Sequence, residues 1–253
     1  MAEKAYTIGE IAKLFQIPTS TIRYWEEKEI FSAKRNEDND YREYTIQTII
    51  ELLDVVFYRN LNIPIQKMKN FNQLSPQDIY ALLEDTERDV QQELQNLKKK
   101  MTGISRRKEQ LENLFQLQEQ QYAPERIDIP KIVPFDMTNA EDMQIQLQHL
   151  ANFVLYKENT VDELFQMGLA VSSDYDRQAI WQKEATKELL YVTCLLICDS
   201  EDFDRSNFEE HAQAMKAQGF SVKRIIASYL ATAADAADKS VDYYKAWLEI
   251  EPL

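Results

Sequence analysis

Residues 19–28 place a hydroxyl, a guanidinium and a phenol on one side of a predicted helix. At 100° per residue, Ile22, Trp25 and Glu29 fall on one face of this segment. The opposite face carries Ser20, Arg23, Tyr24 and Glu27. The first face would pack a core, while the second offers groups that hydrogen-bond to phosphates and base edges. Phosphate would repel Glu27, so we expect that residue to lie past the groove.

A helix-turn-helix is the arrangement that would position this face. Thr7 and Glu10 have the spacing of a capping box, and the first helix has one apolar face made of Ile8, Ile11, Ala12 and Phe15. Pro18 interrupts the helical pattern, and Thr19 is the expected cap of the second helix, which we expect to run to about Lys28.

A small β-hairpin is predicted after the second helix, because residues 32–44 are polar and rich in turn formers. Arg35 precedes its turn, and Tyr41, Arg42 and Tyr44 follow it. Thr45 is the expected cap of a third helix, with an apolar stripe of Ile49, Leu52, Leu53, Val56 and Phe57. Pro64 suits the first turn of a fourth helix that would reach about Phe71.

A long helix is predicted from the start signal at Ser75–Asp78 to about Tyr122, since no proline interrupts it after Pro76. Within it, a heptad seam alternates steps of four and three residues: Val90, Leu94, Leu97, Met101, Ile104, Lys108, Leu111 and Phe115. A solitary helix has nothing to bury this seam against, so we expect a partner chain. The alternative is that the helix folds back on its own chain as part of a bundle.

The pattern changes after three prolines at positions 124, 130 and 134. We expect a strand in KIVPFDM, a helix from Thr138 to about Lys157, and strands at 169–172 and 189–198. A helix at 206–218, closed by Gly219, then precedes two strands in VKRIIASYLAT and DYYKAWLEIEPL. This order predicts an α+β domain made of two similar halves.

Composition restricts the class of protein. The 253 residues include only 4 glycines, which favours helices over a loop-rich or all-β fold. No apolar run reaches the roughly 18 residues that span a bilayer, and the N-terminus lacks the apolar stretch of a signal peptide. We therefore expect a cytoplasmic protein without membrane partners, in which Cys194 and Cys198 are core thiols.

The charge is unevenly distributed along the chain. Residues 1–75 contain 10 Lys and Arg against 11 Asp and Glu, so the remainder carries nearly all of the net charge of −14. DNA-binding proteins usually have a basic footprint. Any DNA binding by the N-terminal segment must therefore depend on a few well-placed cations.

The expected fold is mainly α with an α+β C-terminal domain. Residues 1–74 would form a winged helix-turn-helix DNA-binding domain, 75–122 a long dimerisation helix, and 123–253 an α+β domain.

The N-terminal half resembles the MerR family of transcriptional regulators. The matching stretches are YTIGEIAKLFQIPTSTIRYWEEKEIF, the segment ending DYREYT, and TIIELLDVVFYRNLNIPIQKMKNF, so the resemblance covers about residues 5–122. It implies a homodimer that associates through an antiparallel coiled coil and binds a near-palindromic operator in an overlong promoter spacer. Effector binding would distort this double-stranded DNA so that RNA polymerase engages both promoter elements.

The resemblance also implies which residues contact DNA: Thr19, Thr21, Arg23, Tyr24, Arg35, Tyr41, Arg42, Tyr44, Arg59 and Lys67. In the family a glycine usually precedes the Tyr-Arg pair of the wing, whereas this chain has Asp40. Together with Glu37 and Asp38, this residue makes the wing tip acidic.

By its order of elements, the C-terminal domain resembles the GyrI-like effector-binding domain of the BmrR-type, multidrug-sensing branch. This resemblance implies a small lipophilic or cationic effector held by aromatic rings and a carboxylate. The candidate ligand residues are Tyr175, Trp181, Tyr191, Tyr229, Tyr243, Trp247 and Glu249. Strand alternation puts Trp247, Glu249 and Glu251 on one face. That face is either turned inward toward a ligand or, as we favour for each single residue, solvated.

Other chemistry has little support in the sequence. Cys194 and Cys198 lack the spacing and surroundings of a metal site, and His149 and His211 are far apart, so we expect neither a metal nor a cofactor. No nucleophile elbow, phosphate loop or paired-acid motif suggests an enzyme. The alternative function is a DNA-binding dimer whose C-terminal domain binds a protein partner or no ligand.

Overall fold

The computed structural model describes residues 5–36, 41–69, 74–158, 164–183 and 190–253. The chain divides into two compact units, Met1–Lys99 and Lys100–Leu253, and the division falls within one helix. Each unit has its own buried core.

The first unit begins with the two expected short helices, α1 (Ile8–Phe15) and α2 (Thr19–Glu27). The capping box before α1 is confirmed: Thr7 Oγ1 accepts the amide hydrogen of Glu10, and the Thr7 amide donates to Glu10 Oε2 over 2.8 Å. Gln16 closes α1 in a left-handed conformation, with φ of 54°. The predicted cap of α2 is wrong by one position, since Pro18 precedes the helix and Thr19 is its first residue.

A two-stranded antiparallel hairpin follows, formed by β1 (Lys34–Arg35) and β2 (Arg42–Glu43). Lys34 lies opposite Glu43, and Arg35 lies opposite Arg42. The predicted hairpin is therefore present. The acidic residues at its tip (Glu37, Asp38 and Asp40) lie outside the described residues.

Helix α3 (Ile46–Asn60) is capped by Thr45 as expected, but its buried face differs from the predicted stripe. Of that stripe, Leu52 is buried and Ile49 and Val56 pack against the core, whereas Leu53 and Phe57 are exposed. Thr48 and Val55 complete the buried face. The error arises because α3 has two apolar faces, and the second one carries Ile46, Ile50, Leu53 and Phe57. Hydrophobicity alone does not show which of two such faces meets the core.

The predicted fourth helix, Pro64 to Phe71, is also wrong in extent. The described part forms a single 3₁₀ turn, Ile65–Met68, whose two end residues are buried in the core of the first unit. Residues 70–73 lie outside the described part of the chain.

Helix α4 (Pro76–Glu119) is the long helix that the sequence predicts. Ser75 and Asp78 cap its start, with the Ser75 hydroxyl donating to Asp78 Oδ2 over 2.6 Å. In the isolated chain, the first five seam residues are 50–61% exposed: Val90, Leu94, Leu97, Met101 and Ile104. Leu114 and Leu117, which lie outside the seam, are buried against the second unit's own sheet.

The second unit is built on an eight-stranded antiparallel sheet. Its strands are β3 (Ala123–Pro124), β4 (Lys131–Pro134), β5 (Phe153–Glu158), β6 (Gln166–Val171), β7 (Trp181–Gln182), β8 (Tyr191–Asp199), β9 (Phe220–Ala234) and β10 (Ser240–Pro252). Their spatial order is β3-β8-β10-β9-β5-β6-β4-β7. Helices α5 (Ala140–Gln148) and α6 (Phe208–Ala217) also belong to this unit, as does α4 from Lys100 onward.

The two predicted halves are visible in this order. Each half runs strand, helix, strand, strand, and the last strand lies between the other two: β6 between β4 and β5, and β10 between β8 and β9. The halves join where β5 pairs with β9.

The predicted helix from Thr138 to Lys157 is wrong at both ends. Asn139 caps α5, the Thr138 hydroxyl instead bonds Asp136, and a 3₁₀ turn at Leu150–Asn152 leads into β5. The segment Phe153–Glu158 is a strand because it pairs on both sides, with β6 and with β9. Such long-range pairing is not visible in a local pattern.

The two faces of the sheet pack against different partners. On one face, Leu196, Ile225 and Leu248 pack against α6 through Phe208 and Met215. On the other, Leu195, Leu230 and Tyr243 pack against Leu114 and Leu117 at the end of α4. Trp247 lies on this second face, beside the open space described below.

Candidate nucleic-acid interface and effector cavity

Helix α2 is oriented by two buried residues. Ile22 and Trp25 are buried in the core of the first unit, so Arg23 and Tyr24 on the other side are exposed. The Lys28 ammonium lies 5.6 Å from the centre of the Tyr24 ring. The predicted division of α2 into a core face and a polar face is therefore present.

A concave surface of about 760 Å³ brings α2 and the hairpin together. It is lined by Arg23 from α2, by Tyr41, Arg42 and Glu43 from the hairpin, and by residues 5–8 at the start of α1. Three of the predicted DNA contacts thus share one surface with a helix N-terminus. The capping box already occupies the amides of Thr7 and Glu10, so the arginines are the groups of this surface that attract phosphate.

Arg42 is held by an ion pair with α2. Its Nε donates to Glu26 Oε2 over 2.6 Å, and this bond raises the pKa of the Arg42 guanidinium. A guanidinium has five N–H donors, so the Nη edge remains to meet a phosphate.

The other predicted contacts lie in different environments. Arg35 and Lys67 are exposed, while Thr19 and Thr21 are half-buried. The half-buried Arg59 donates from Nη1 to the carbonyl of Ile63 and so stabilises the end of α3.

Tyr44 corrects one prediction. Its side chain is 0% exposed and packs beside Phe31, with ring centres 6.4 Å apart, so it belongs to the core and its ring does not reach DNA. Burial is the main cause that raises the pKa of the Tyr44 hydroxyl. Alternation along a two-residue strand is too short to place Tyr44 from sequence.

The second unit contains a cavity of about 630 Å³ between the sheet and the last third of α4. Helix α4 contributes Arg106, Glu109, Gln110 and Asn113, spaced so that they share one helix face. The sheet contributes Ser228, Leu230, Lys245 and Trp247, and the remaining walls include Asp128, Ile129, Ile145, His149 and Tyr175. This volume lies in the range of small-molecule sites.

Only part of the predicted ligand set meets at this cavity. Tyr175 and Trp247 line it, whereas Trp181 and Tyr191 are buried beside Trp247 in the adjoining hydrophobic cluster. Tyr243 packs with Leu114 and Leu117. Tyr229 packs against Tyr244 on the other side of the sheet, at a ring distance of 5.8 Å.

Glu249 is buried, with 3% of its surface exposed, so the solvated interpretation is wrong for this residue. Its Oε2 lies 3.0 Å from Arg224 Nε, an ion-pair distance, although the angle falls short of a hydrogen bond. The Tyr191 hydroxyl donates to the same oxygen over 3.4 Å. Glu251 is exposed and pairs with Lys223, as a solvated position would.

A β-bulge connects α4 to the sheet. Between β9 and β10 the register skips Leu230, and the carbonyls of Tyr229 and Leu230 accept hydrogen bonds from α4. The donors are Arg107 Nη1, to Leu230, and Gln110 Nε2, to Tyr229 over 3.3 Å. Gln110 also lines the cavity, so the bulge, the helix and the cavity share one residue.

The two cysteines are buried and free, as core thiols. Burial raises the pKa of both thiols, to about 12 for Cys198. In the described part of the chain, no group of three His, Cys, Asp or Glu residues could hold a metal ion. None of the described helices is long and apolar enough to cross a membrane.

Sequence reasoning missed the residues that α4 and the loops contribute to the cavity. Arg106, Glu109 and Asn113 carried a usable signal, since they form a polar stripe at helical spacing where the seam weakens. The roles of Asp128, His149 and Lys245 depend on strand pairing over long sequence distances, so no local signal marks them.

Comparison with known proteins agrees with these observations. Residues 7–44 match the model of the "MerR family regulatory protein" family. The chain is 27% identical over 150 residues to the multidrug-efflux transporter 1 regulator of Bacillus subtilis. This match covers 55% of this chain and 54% of that protein. It is 34% identical over 61 residues to the transcriptional regulator BrlR of Pseudomonas aeruginosa. This match covers 24% of this chain and 23% of BrlR.

Among solved structures, the chain is similar to a MerR family transcriptional regulator from Bacillus thuringiensis. The identity is 28%, the TM-score is 0.33, and the match covers 40% of this chain and 95% of that one. The match to the Bacillus subtilis regulator spans about half of that protein's length, and the match to BrlR about a quarter.

The family match is confined to residues 7–44, the segment that holds α1, α2 and the hairpin. Both of these curated relatives are named as regulators.

Proposed function

We propose that this protein is a MerR-type transcriptional regulator that binds promoter DNA as a homodimer and distorts it in response to a small molecule. The observation that carries the proposal is the concave surface in the first unit. Arg23, Tyr41 and Arg42 line it together with the start of α1, and all of these groups lie within or beside residues 7–44.

Arg23 and Arg42 are the cations that line this surface, so each of them should contribute substantially to DNA affinity. The first 75 residues are almost neutral overall. A protein of this kind would combine a small number of phosphate contacts with readout of DNA shape. Both features suit an operator that is distorted when bound.

The exposed seam of α4 supports a homodimer. Five consecutive seam positions from Val90 to Ile104 are half or more exposed in the single chain. An apolar stripe of this kind on a 44-residue helix costs free energy in water unless a partner helix covers it. We propose that the partner is a second copy, packed as an antiparallel coiled coil, so that two recognition helices read the two halves of a near-palindromic operator.

The cavity in the second unit supports the effector part of the proposal. It is walled partly by α4 itself, through Arg106, Glu109, Gln110 and Asn113. A molecule bound there would contact the sheet and the proposed dimerisation helix at once. Occupancy would thereby bias the helix, and through it the spacing of the two DNA-binding domains, which would alter the distance between promoter elements seen by RNA polymerase.

Alanine substitution of the two arginines tests the DNA interface. We expect Arg23→Ala and Arg42→Ala each to weaken binding to a DNA site selected from a random pool by about 1–3 kcal/mol at fixed salt. The matched control is Arg205→Ala, which removes an exposed arginine from the second unit. Unchanged affinity in both variants would contradict the proposed placement of DNA.

A further inference from the structure

The effector cavity proposed above has a chemical preference that follows from what its charged and aromatic groups already bind. A cation-selective site needs a buried carboxylate without a partner, or an open aromatic face. The structure offers neither at the residues where the sequence suggests them.

The buried carboxylate is already neutralised. Glu249 pairs with Arg224 and accepts a hydrogen bond from Tyr191, and it does not line the cavity. A cationic ligand would have to displace Arg224 from a site with 3% exposure. Breaking a buried ion pair leaves an uncompensated charge, which is strongly unfavourable.

The aromatic face is also taken. The Lys245 ammonium lies 5.1 Å from the centre of the Trp247 ring, and both residues line the cavity. Glu125 Oε1 holds the same ammonium at 2.7 Å, with the Lys245 side chain only 18% exposed. A second cation approaching Trp247 would therefore find this ring face already covered by the Lys245–Glu125 pair.

Hydrogen-bond donors remain available at the same wall. Trp247 is 96% buried, and its indole N–H has no acceptor among the described residues, which is an unfavourable state for a buried donor. Lys245 has three N–H donors and spends one on Glu125.

His149 adds a further donor to the cavity lining. Its Nδ1 accepts the amide hydrogen of Ala151 over 3.1 Å, and burial is the main cause that lowers the pKa of the imidazole. The neutral ring therefore carries its hydrogen on Nε2.

The acidic groups of the lining would attract a bound cation only weakly. Glu109 and Asp128 are both exposed, so water and salt screen them. Apolar surface comes from Ile129, Ile145 and Val171. The inner wall thus combines apolar surface with donors and one ammonium.

We propose that this cavity binds an apolar or aromatic molecule that carries an anionic oxygen group, such as an aromatic carboxylate, in preference to a lipophilic cation. The anionic oxygen accepts hydrogen bonds from Lys245 and, after a small shift that uncovers its buried N–H, from Trp247, and the apolar body lies against the isoleucine and valine side chains. This inference rests on the proposed effector function, whose cavity it makes chemically specific.

Calorimetric titration of the full chain with two naphthyl probes of opposite charge tests the inference. The probes are 2-naphthoate and (2-naphthyl)trimethylammonium. We expect 2-naphthoate to bind at least tenfold more tightly than the cation. Lys245→Met should weaken naphthoate binding at least tenfold, and Trp247→Phe, which keeps a ring but removes the N–H, should weaken it several-fold.

The matched control is Lys239→Met, the same substitution at an exposed lysine that pairs with Asp199 outside the cavity lining. It should bind naphthoate like the unmodified chain. Thermal unfolding of all variants shows whether the fold is retained, and Trp247→Phe provides an independent test if Lys245→Met does not fold.

Three results would overturn the inference: tighter binding of the cation, no binding of naphthoate, or equal naphthoate binding by the Lys245→Met and Lys239→Met variants. Affinity for the selected DNA site, measured on the same samples, tests the proposed function separately. If the protein binds the cation and also binds DNA, the inference about the ligand is contradicted but a drug-responsive regulator is still supported. If the protein binds naphthoate but not DNA, the proposed regulator is contradicted and the inference about the ligand is not.

Discussion

The ion pair between Glu26 and Arg42 connects α2 to the hairpin. Because the Glu26 carboxylate holds Arg42 Nε at 2.6 Å, it fixes the direction of the remaining guanidinium donors. Both side chains are partly exposed, so the contribution of the pair to stability is small. Its larger proposed role is to orient the guanidinium of Arg42 for the phosphate contact proposed above.

We predict that Glu26→Gln lowers affinity for the selected DNA site about three- to tenfold, because Arg42 loses its orientation, a change of about 1 kcal/mol. The control is Glu27→Gln, which removes the same charge at the next, exposed position of α2. Titration of both variants at one salt concentration measures the difference. Equal affinities would show that only the charge matters and that Glu26 has no positioning role.

His211 makes the second unit sensitive to acid. Its Nδ1 accepts from the Tyr122 hydroxyl over 2.8 Å, and its Nε2 donates to the carbonyl of Leu195 over 3.1 Å, so the buried ring is neutral. Burial is the main cause that lowers the pKa of His211 below its ordinary value. Between the folded and unfolded pKa values, the unfolded chain therefore binds more protons.

The expected result is a stability that falls as the pH drops below about 6.5, the ordinary pKa of histidine. His211→Gln should reduce this dependence. Thermal unfolding midpoints at pH 7.5 and 5.5 measure both slopes, and identical slopes for the variant and the unmodified chain would contradict the assignment. His149, whose pKa is also lowered, would maintain part of the slope in both proteins.

Helix α4 uses different faces for different partners. Leu114 and Leu117 pack on the sheet, Gln110 meets the β-bulge and the cavity, and the seam from Val90 to Ile104 stays exposed. The sequence predicts the seam because heptad spacing is a local property. It does not predict which residues leave the seam to meet the sheet.

We predict that Leu97→Asp raises the dissociation constant of the homodimer at least tenfold, because it places a charge in the apolar seam. The control is Leu147→Asp in α5, at another exposed leucine that lies outside the seam. Sedimentation velocity over a range of concentrations measures both proteins, and circular dichroism checks their helix content. If the Leu97→Asp protein dimerises as tightly as the control, the seam is not the dimer interface.

The accuracy of sequence-based prediction differs between the elements in a consistent way. The capping boxes at Thr7 and Ser75, α2, α4 and the long strands β9 and β10 are predicted well, since each depends on signals within a few residues. Two larger errors are the placement of Leu53 and Phe57 on the core face of α3 and the helix predicted where β5 lies. Both depend on which distant segment packs against them, and the sequence alone does not record that.

The candidate sites show the same division. The placement of Arg23 and Arg42 on one exposed surface could be predicted from local helix and hairpin patterns, while their contact with DNA stays a prediction. The cavity could not, because Lys245 and Trp247 become relevant only when α4 passes over the sheet face that they share. Of the predicted ligand residues, the two that line the cavity are Tyr175 and Trp247.

At the scale of the whole molecule, the charge differs between the proposed DNA-binding part and the rest of the chain. The N-terminal 75 residues are nearly neutral, while the rest of the chain carries almost the whole net charge of −14. The acidic part would be repelled by DNA, which restricts DNA contact to the placed cations of the first unit. Affinity for DNA should therefore depend strongly on the correct spacing of the two first units in a homodimer. A single protomer should bind DNA weakly.

Selection of binding sites from random DNA, followed by hydroxyl-radical footprinting of the enriched sequence, tests the central claim most directly. A homodimeric regulator predicts an inverted repeat, with protected backbone related by a two-fold axis and lost in the Arg23→Ala, Arg42→Ala double variant. An enriched site without internal symmetry, or a pool that shows no enrichment while the protein remains folded, would contradict the account.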